Sequence, residues 1–269
     1  MKLAIISDIH HSRDLSMVRH VSQFVADATA AGADLLLDLG DRIDDADRAE
    51  DLDRLAELAV AFRRFPGTRL HLLGNHDVVN LTGDDHERAL GREPGHMELD
   101  LGDVRLIVWE PSVQFHRPRG FDSAADQLPW LVATLEADPR PAIILTHIPV
   151  SGASMAGNYY FSNNPALATY PDAADIRRAV EATGKVALWH SGHVHWNSWC
   201  NVGNIHHLTL QSPSETFTTK GTPALTWAML EIDGHHASYE VRGLDTLSLR
   251  FTFQPSGAMA WPNPRPAIS

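Results

Sequence analysis

Five short stretches of this chain carry side chains able to hold divalent cations: Asp8-Ile9-His10, Gly40-Asp41-Arg42-Ile43-Asp44, Gly74-Asn75-His76-Asp77, His147, and Gly192-His193-Val194-His195. Imidazoles, carboxylates and an amide oxygen, with no thiolate, form a donor set suited to Mn, Fe, Zn or Co. In extended chain, residues two apart project to the same side, so Asp8 and His10, and again His193 and His195, can each aim both side chains into one site. Gly40, Gly74 and Gly192 stand beside candidate ligands, where a sharp turn or a close backbone approach leaves no room for a side chain. Asp8, Asp41, Asn75, His10, His147, His193 and His195 are too many for one tetrahedral ion. If Asp41 bridges, they divide into two sets of four around two metals, with His76 left over.

Each stretch follows a short apolar run. Strands are expected over 3–6, 35–39, 70–73, 105–109, 142–146 and 186–190, and helices over 17–31, 49–62, 126–137 and 172–183, an alternation that reads as successive βαβ units. In open α/β sheets ligands bind beyond the carboxyl ends of the strands, so residues from 8 to 195 should meet there in space. From 205 onward the pattern changes to consecutive strands at 205–210, 225–232, 237–241 and 247–253, joined by short turns such as Asp233-Gly234, and these read as antiparallel hairpins. The expected fold is α/β, a two-sheet mixed β-sandwich flanked by helices. One domain is expected over 1–254, and 255–269, with four prolines, reads as a Pro-rich C-terminal tail. The stretch 151–171, rich in Gly, Ser, Asn and Tyr, is expected to be a lid or substrate insert, because long loops without secondary structure in compact domains usually serve function.

Composition narrows the function. The 269 residues carry a net charge of −12 and only three lysines, which argues against a nucleic-acid polymer as partner, since phosphate-backbone binders present an electropositive stripe. Cys200 is the single cysteine, so there is no intramolecular disulfide and no CxxC site; it is read as a loop or core thiol. The four-residue apolar run near the N-terminus is too short for a signal peptide and no stretch reaches the length of a membrane span, so no membrane association and a cytoplasmic location are expected.

The motifs DxH, GDxxD, GNHD, a single His after a strand, and GHxH, in that order, resemble the calcineurin-like metallophosphoesterase superfamily. The resemblance implies two divalent metal ions (Mn, Fe, Zn or Co), one held by Asp8, His10, Asp41 and His195, the other by Asp41, Asn75, His147 and His193. It implies that His76 is catalytic, hydrogen-bonding the phosphate or the leaving oxygen, with Asp77 placed to orient it. The reaction it implies is in-line attack of a metal-bridging hydroxide on a small-molecule phosphate ester.

A lone Asp or His at a strand end is ordinarily a turn residue or a helix cap, the reading that suits Asp47. Convergence of five strands removes that reading for the motif positions. It stands for His20, His71, His86, His96, His116, His190, His206, His207, His235 and His236, read as surface or satisfied core residues, and Asp44 and Asp45 are read as supporting or solvated groups. His11 stays open. Substrate contacts are expected from His11, Tyr159, Tyr160, Asn163 and Trp196, where aromatic rings could stack on a base and amides could bond a sugar. Motif spacing and length look most like the bacterial branch that includes cyclic-nucleotide and glycerophosphodiester phosphodiesterases. The segment 192–216 is similar to the ADP-ribose and CDP-alcohol diphosphatases, which typically carry Gln where this chain has His10. Phosphoprotein phosphatases usually carry paired Arg beside the metals, and only Arg13 and Arg42 lie near motifs here. Some members of the fold, such as a retromer subunit, act as scaffolds, although a scaffold has no physical reason to keep the complete ligand set and His76. The aromatic insert and the tail are the expected surfaces for a homodimer.

Overall fold

Leu3 and Ile5 point one way along the first strand and Ala4 and Ile6 the other, yet all four are fully buried. A parallel strand covered on both faces has no polar side, which is why the sequence shows a continuous apolar run instead of alternation. The computed structural model describes residues 1–255 and 257; the rest of the expected tail lies outside the described residues. Elements follow in the order β1 (Lys2–Ile6), α1 (Val18–Ala30), β2 (Leu35–Asp38), α2 (Arg48–Phe62), β3 (Thr68–His71), α3 (Gly83–Leu90), β4 (Met97–Asp100), β5 (Arg105–Val108), β6 (Phe115–His116), β7 (Gly120–Phe121) and α4 (Leu128–Glu136). The chain continues through β8 (Ala142–Leu145), α5 (Ala173–Thr183), β9 (Val186–Ser191), β10 (Ser198–Val202), β11 (Ile205–Thr209), β12 (Trp227–Asp233), β13 (His236–Arg242) and β14 (Leu247–Thr252).

Two six-stranded mixed sheets face each other. The first has the order β14-β13-β12-β1-β2-β3 and the second β10-β11-β9-β8-β5-β4, with β6 and β7 forming a separate hairpin. Leu3, Ile5, Leu37 and Leu230 of the first sheet meet Leu106, Val108, Leu145 and Leu208 of the second in the core between them. The outward residues Ala4, Ile6 and Leu36 pack under α1 and α2 through Val21, Phe24, Leu58 and Phe62. On the far side, Ile107, Ile144 and Trp189 pack under α4 and α5 through Leu131, Leu135, Ile176 and Val180. Each such fully buried aliphatic side chain stabilises the fold by roughly 1.5–3 kcal/mol relative to exposure. The fold is thus the expected helix-flanked mixed sandwich. Among the described residues no helix is long and apolar enough to cross a membrane.

The details depart from expectation at β11 and at α3. The strand expected at 205–210 does not open the C-terminal run of hairpins. As β11 it lies in the second sheet, parallel to β9 with His206 opposite Leu188, and antiparallel to β10. The turn between β10 and β11 is Gly203-Asn204, both at positive φ, the geometry of a tight hairpin. Only β12, β13 and β14 form the antiparallel run on the first sheet. Helix α3 was not expected: its residues are mostly polar, and a capping box of Thr82 and Asp85 starts it. As expected for Asp47, its carboxylate accepts the Ala49 and Glu50 N–H groups at the start of α2.

Candidate metal centre

The loops after β1 and β2 are zipped together beyond the sheet. The Asp8, His10 and His11 N–H groups donate to the carbonyls of Gly40, Asp41 and Arg42 at 2.9, 3.0 and 2.8 Å. Close approach then demands the expected glycines. A Cβ on Gly74 would lie 2.1 Å from Asp41 Oδ1, and one on Gly192 would lie 1.9 Å from Ser7 Oγ and 2.5 Å from Asp8 Oδ2. Asp8, His10, Asp41, His193 and His195 all adopt positive φ, between 46° and 68°. For residues with a Cβ this region costs about 1–2 kcal/mol each, so the strain of the molecule is concentrated on these loops.

The side chains meet as the strand ends require. Asp8, His10 and His195 form one cluster, Asp41, His147 and His193 another, and His10, Asp41 and His76 a third that joins them, each with its donor atoms within 4.8 Å of one another. His10 Nε2 faces His195 Nε2 at 2.9 Å, and His147 Nε2 lies 3.2 Å from Asp41 Oδ2. His10 belongs to the first and third clusters and Asp41 to the second and third, so these two residues link the set.

Several observations fit this donor set to cations. Asn75 Oδ1 is buried with no hydrogen-bond partner, an arrangement that costs free energy unless something binds there. The opposite ring nitrogens are already committed: His147 Nδ1 donates to the Leu39 carbonyl at 2.8 Å and His193 Nε2 to that of Leu167 at 2.8 Å. His10 Nδ1 lies 2.9 Å from Asp44 Oδ1, so one nitrogen of each ring is fixed by a neighbour and the other is free to ligate. Burial pushes His193 down to about 3, keeping it neutral, with the charge of His147 adding to the effect. His147 is raised to about 9 because Asp41 outweighs burial, and the proton so held marks a place where positive charge is stabilised.

The expected role of Asp77 is corrected. Its carboxylate is fully buried and accepts the N–H groups of Asp41, Arg42 and Gly74 at 2.9, 3.0 and 2.9 Å, and it pairs with Arg42 at 3.1 Å. It therefore braces the backbone around Asp41. The residue facing His76 is Asp45, whose Oδ2 lies 3.5 Å from His76 Nδ1, while the His76 N–H donates to Asp41 Oδ1 at 2.8 Å.

His11 is also corrected. Its ring is fully buried, with Nε2 2.7 Å from Glu57 Oε2 and Nδ1 accepting the Met17 N–H, which makes it a support of the β1 loop. Among the expected substrate contacts, Tyr159 and Tyr160 line the cavity over the metal centre, and Asn163 and Trp196 do not. Asn163 is exposed on the outside of the insert. Trp196 stands beside Phe217, ring centroids 6.0 Å apart. Tyr170 is a buried core residue against Trp109 and Phe121.

The cavity measures about 500 Å³ and is also lined by Asp45, Gln114, Arg117, Asn158, Phe161 and Glu215, none of them among the expected ligands or substrate contacts. Gln114 and Arg117 come from the β6–β7 region, which carries only a short aromatic hairpin pattern. Glu215 comes from the loop that crosses from the second sheet back to the first. Its Oε2 accepts the Tyr159 hydroxyl at 3.3 Å and lies 3.6 Å from His195 Nδ1. Burial pushes Glu215 up, but His195 and the Phe217 and Thr216 N–H groups outweigh it and hold the carboxyl at about 2. Tyr159 stacks on Phe217 with ring centroids 4.1 Å apart and planes at 20°, and both rings are half exposed at the cavity rim.

A two-sheet α/β sandwich with candidate cation ligands at its strand ends matches the metallophosphoesterase fold. The chain belongs to the calcineurin-like phosphoesterase family, whose sequence model matches residues 1–197. It is a hydrolase acting on phosphoric esters, and the family uses divalent metal ions. No curated protein matches it by sequence. Its fold is similar to that of a dimetal phosphatase from Danio rerio, with a TM-score of 0.75 at 14% identity over 94% of this chain and 99% of that one. It is also similar to a purple acid phosphatase from yellow lupin (Lupinus luteus) seeds, with a TM-score of 0.62 at 14% identity over 92% and 53%. A third likeness is to GAP50, the anchor in the inner membrane complex of Plasmodium, with a TM-score of 0.60 at 11% identity over 95% and 89%. At these identities the likenesses concern the fold alone.

Proposed function

We propose that this chain is a two-cation phosphodiesterase that cleaves a small diester of the cyclic-nucleotide or glycerophosphodiester type. The observation that carries this reading is the charge of the cavity wall. Arg117 is the one Lys or Arg among the described lining residues. Arg42 is fully buried and held by Asp38, Asp77 and the Leu72 carbonyl, and Arg13 is exposed and paired with Glu50. A single guanidinium suits the one negative charge of a diester better than the two of a monoester.

Asp8, His10, Asp41 and His195 would hold one cation, and Asp41, Asn75, His147 and His193 the other. Bound there, two divalent ions would polarise the phosphoryl oxygens, lower the pKa of water and stabilise charge on the entering and departing oxygens. Arg117 and Gln114 orient the ester across the cavity. His76, with Nδ1 turned toward Asp45, presents its other ring nitrogen to the departing oxygen and holds a proton for it. The insert over 151–171 closes the site through Tyr159, Tyr160 and Phe161 and limits access of bulk water. A cavity of about 500 Å³ in a chain of net charge −12 favours a small substrate over a polymer.

A nucleotide-diphosphate diphosphatase is the second reading, favoured by the stacked Tyr159–Phe217 pair at the rim, whose outer faces would suit a nucleobase. Metal-stripped protein reconstituted with Mn²⁺ separates the readings through kcat/KM for bis(p-nitrophenyl) phosphate, p-nitrophenyl phosphate and ADP-ribose. A preference for the first supports the diesterase, a preference for ADP-ribose moves the assignment to the diphosphatase, and a preference for the monoester overturns both.

A further inference from the structure

Glu215 links the insert over the cavity to the proposed cation cluster through a single carboxylate oxygen. Its Oε2 accepts the Tyr159 hydroxyl at 3.3 Å and lies within ion-pair distance, 3.6 Å, of His195 Nδ1. Its Oε1 accepts the Thr216 and Phe217 N–H groups, both at 2.8 Å, so the carboxylate cannot swing away without uncapping its own loop. The Glu215 side chain is only 9% exposed although it borders the cavity. His195 turns its other nitrogen, Nε2, into the cluster, 2.9 Å from His10 Nε2 and 3.6 Å from Asp8 Oδ1. The insert is pinned at two further points, where Asn158 Nδ2 donates to the Val194 carbonyl at 2.8 Å and where the Leu167 carbonyl accepts from His193 Nε2. Both of these hold the backbone or ring beside the last two histidines, so the insert is seated on the GHxH loop.

We infer that Glu215 is a positioning residue that fixes the ring and tautomer of His195 and, through Tyr159, couples seating of the insert to occupation of the cation site. A carboxylate on Nδ1 keeps the hydrogen there and leaves the Nε2 lone pair toward Asp8 and His10; removing such a partner typically weakens a metal site by about 10–100-fold. The same carboxylate holds the Tyr159 hydroxyl, so a ring drawn toward a cation at Nε2 holds Glu215, and Glu215 holds the insert. The inference rests on the proposed ligand role of His195, and the test separates the two.

Metal-free wild type, Glu215→Gln, Glu215→Ala, Tyr159→Phe and His195→Ala are titrated with Mn²⁺, free ion being followed by its paramagnetic resonance signal, and the melting temperature of each metal-free protein is recorded. Glu215→Gln keeps an oxygen for the loop N–H groups and its length, so it tests positioning even where Glu215→Ala disturbs the loop. Expected are a weakening of the tighter Mn²⁺ affinity by about 10–100-fold in both Glu215 variants with an unchanged melting temperature for Glu215→Gln, and a change of less than about threefold in Tyr159→Phe. Limited proteolysis reads the coupling. Mn²⁺ should slow cleavage within 151–171 in wild type, and this protection should be lost in Glu215→Gln and reduced in Tyr159→Phe. Mn²⁺ affinity in Glu215→Gln within twofold of wild type, or Mn²⁺ protection of the insert that survives Glu215→Gln, overturns the inference. Should His195→Ala also bind Mn²⁺ as wild type does, the ligand reading itself is what fails.

Discussion

The Asp77 carboxylate lies 2.9 Å from the backbone nitrogen of Asp41, a member of two of the candidate cation clusters, and its remaining bonds go to the Gly74 and Arg42 N–H groups and the Arg42 guanidinium. It thereby ties the loops after β2 and β3 together at their closest approach. Asp77→Ala would strand a fully buried guanidinium with one partner fewer and should cost roughly 3–5 kcal/mol in urea unfolding. His76→Ala, on a half-buried ring, should cost less than about 1 kcal/mol while abolishing turnover. Equal stability of the two variants, with matching kinetic defects, would instead make Asp77 the partner of His76.

Backbone strain at the ligand loops gives an inverted stability order. His195 has φ 52°, where glycine is at ease and alanine is not. Metal-free His195→Gly should therefore be more stable than metal-free His195→Ala by about 1 kcal/mol, opposite to the order at an ordinary position. Denaturant midpoints measure this, and an alanine variant equal to or more stable than the glycine variant would show that the loop relaxes once the ring is gone.

Two buried imidazoles away from the candidate metal centre weaken the fold in acid. His190 on β9 bonds the Tyr239 hydroxyl of the opposite sheet at 3.0 Å, and His207 on β11 stacks on Trp189. Burial lowers both from 6.5 to about 3, the charge of Arg177 adding to it for His207. They are neutral when folded and protonate when unfolded, so the unfolded chain binds more protons below pH 6.5 and stability falls as pH drops from there toward 3. The loss should be roughly 1 kcal/mol per pH unit for each ring. Metal-free protein unfolded in urea at pH 7.5, 6.5 and 5 should be most stable near 6.5: His147, held protonated up to about 9, loses its contribution as pH rises above 6.5, and His190, His207 and His193 lose theirs as pH falls to 5. A flat profile down to pH 5 would contradict it.

Arg117 should act in binding more than in the chemical step. Replacing it with Gln, which keeps a donor and loses the charge, should raise KM for a diester by about tenfold with kcat changed by less than threefold. An unchanged KM would remove Arg117 from the substrate path and with it the charge argument for a diester.

The sandwich and its strand ends were legible because apolar runs between turn signals have few other uses, and each motif falls where its strand stops. Residues that act across the cavity were not. Asp45 stands one position beyond the GDxxD motif and reaches His76 across the loops after β2 and β3, which Asp77 and the His76 N–H bond to Asp41 tie together. Glu215 lies twenty positions past the last expected ligand, on a crossover whose path depends on β11 joining the second sheet, the strand that periodicity had grouped with the hairpins. Helix α3 was not legible from periodicity because its eight residues are mostly polar; its start is fixed by the Thr82–Asp85 capping box. His11 and Trp196 show the converse: adjacency to a ligand in sequence turns into burial against Glu57 in one case and a place behind Phe217 in the other.

Cation stoichiometry tests the central claim most directly. Chelator-stripped protein, inactive on bis(p-nitrophenyl) phosphate, should bind two equivalents of Mn²⁺ per chain and regain turnover as they load. Asp41→Ala, lacking the shared carboxylate, should bind at most one equivalent and recover less than about one hundredth of the activity. Full turnover with a single equivalent, or activity that survives complete removal of metal, would contradict a two-cation site at these strand ends.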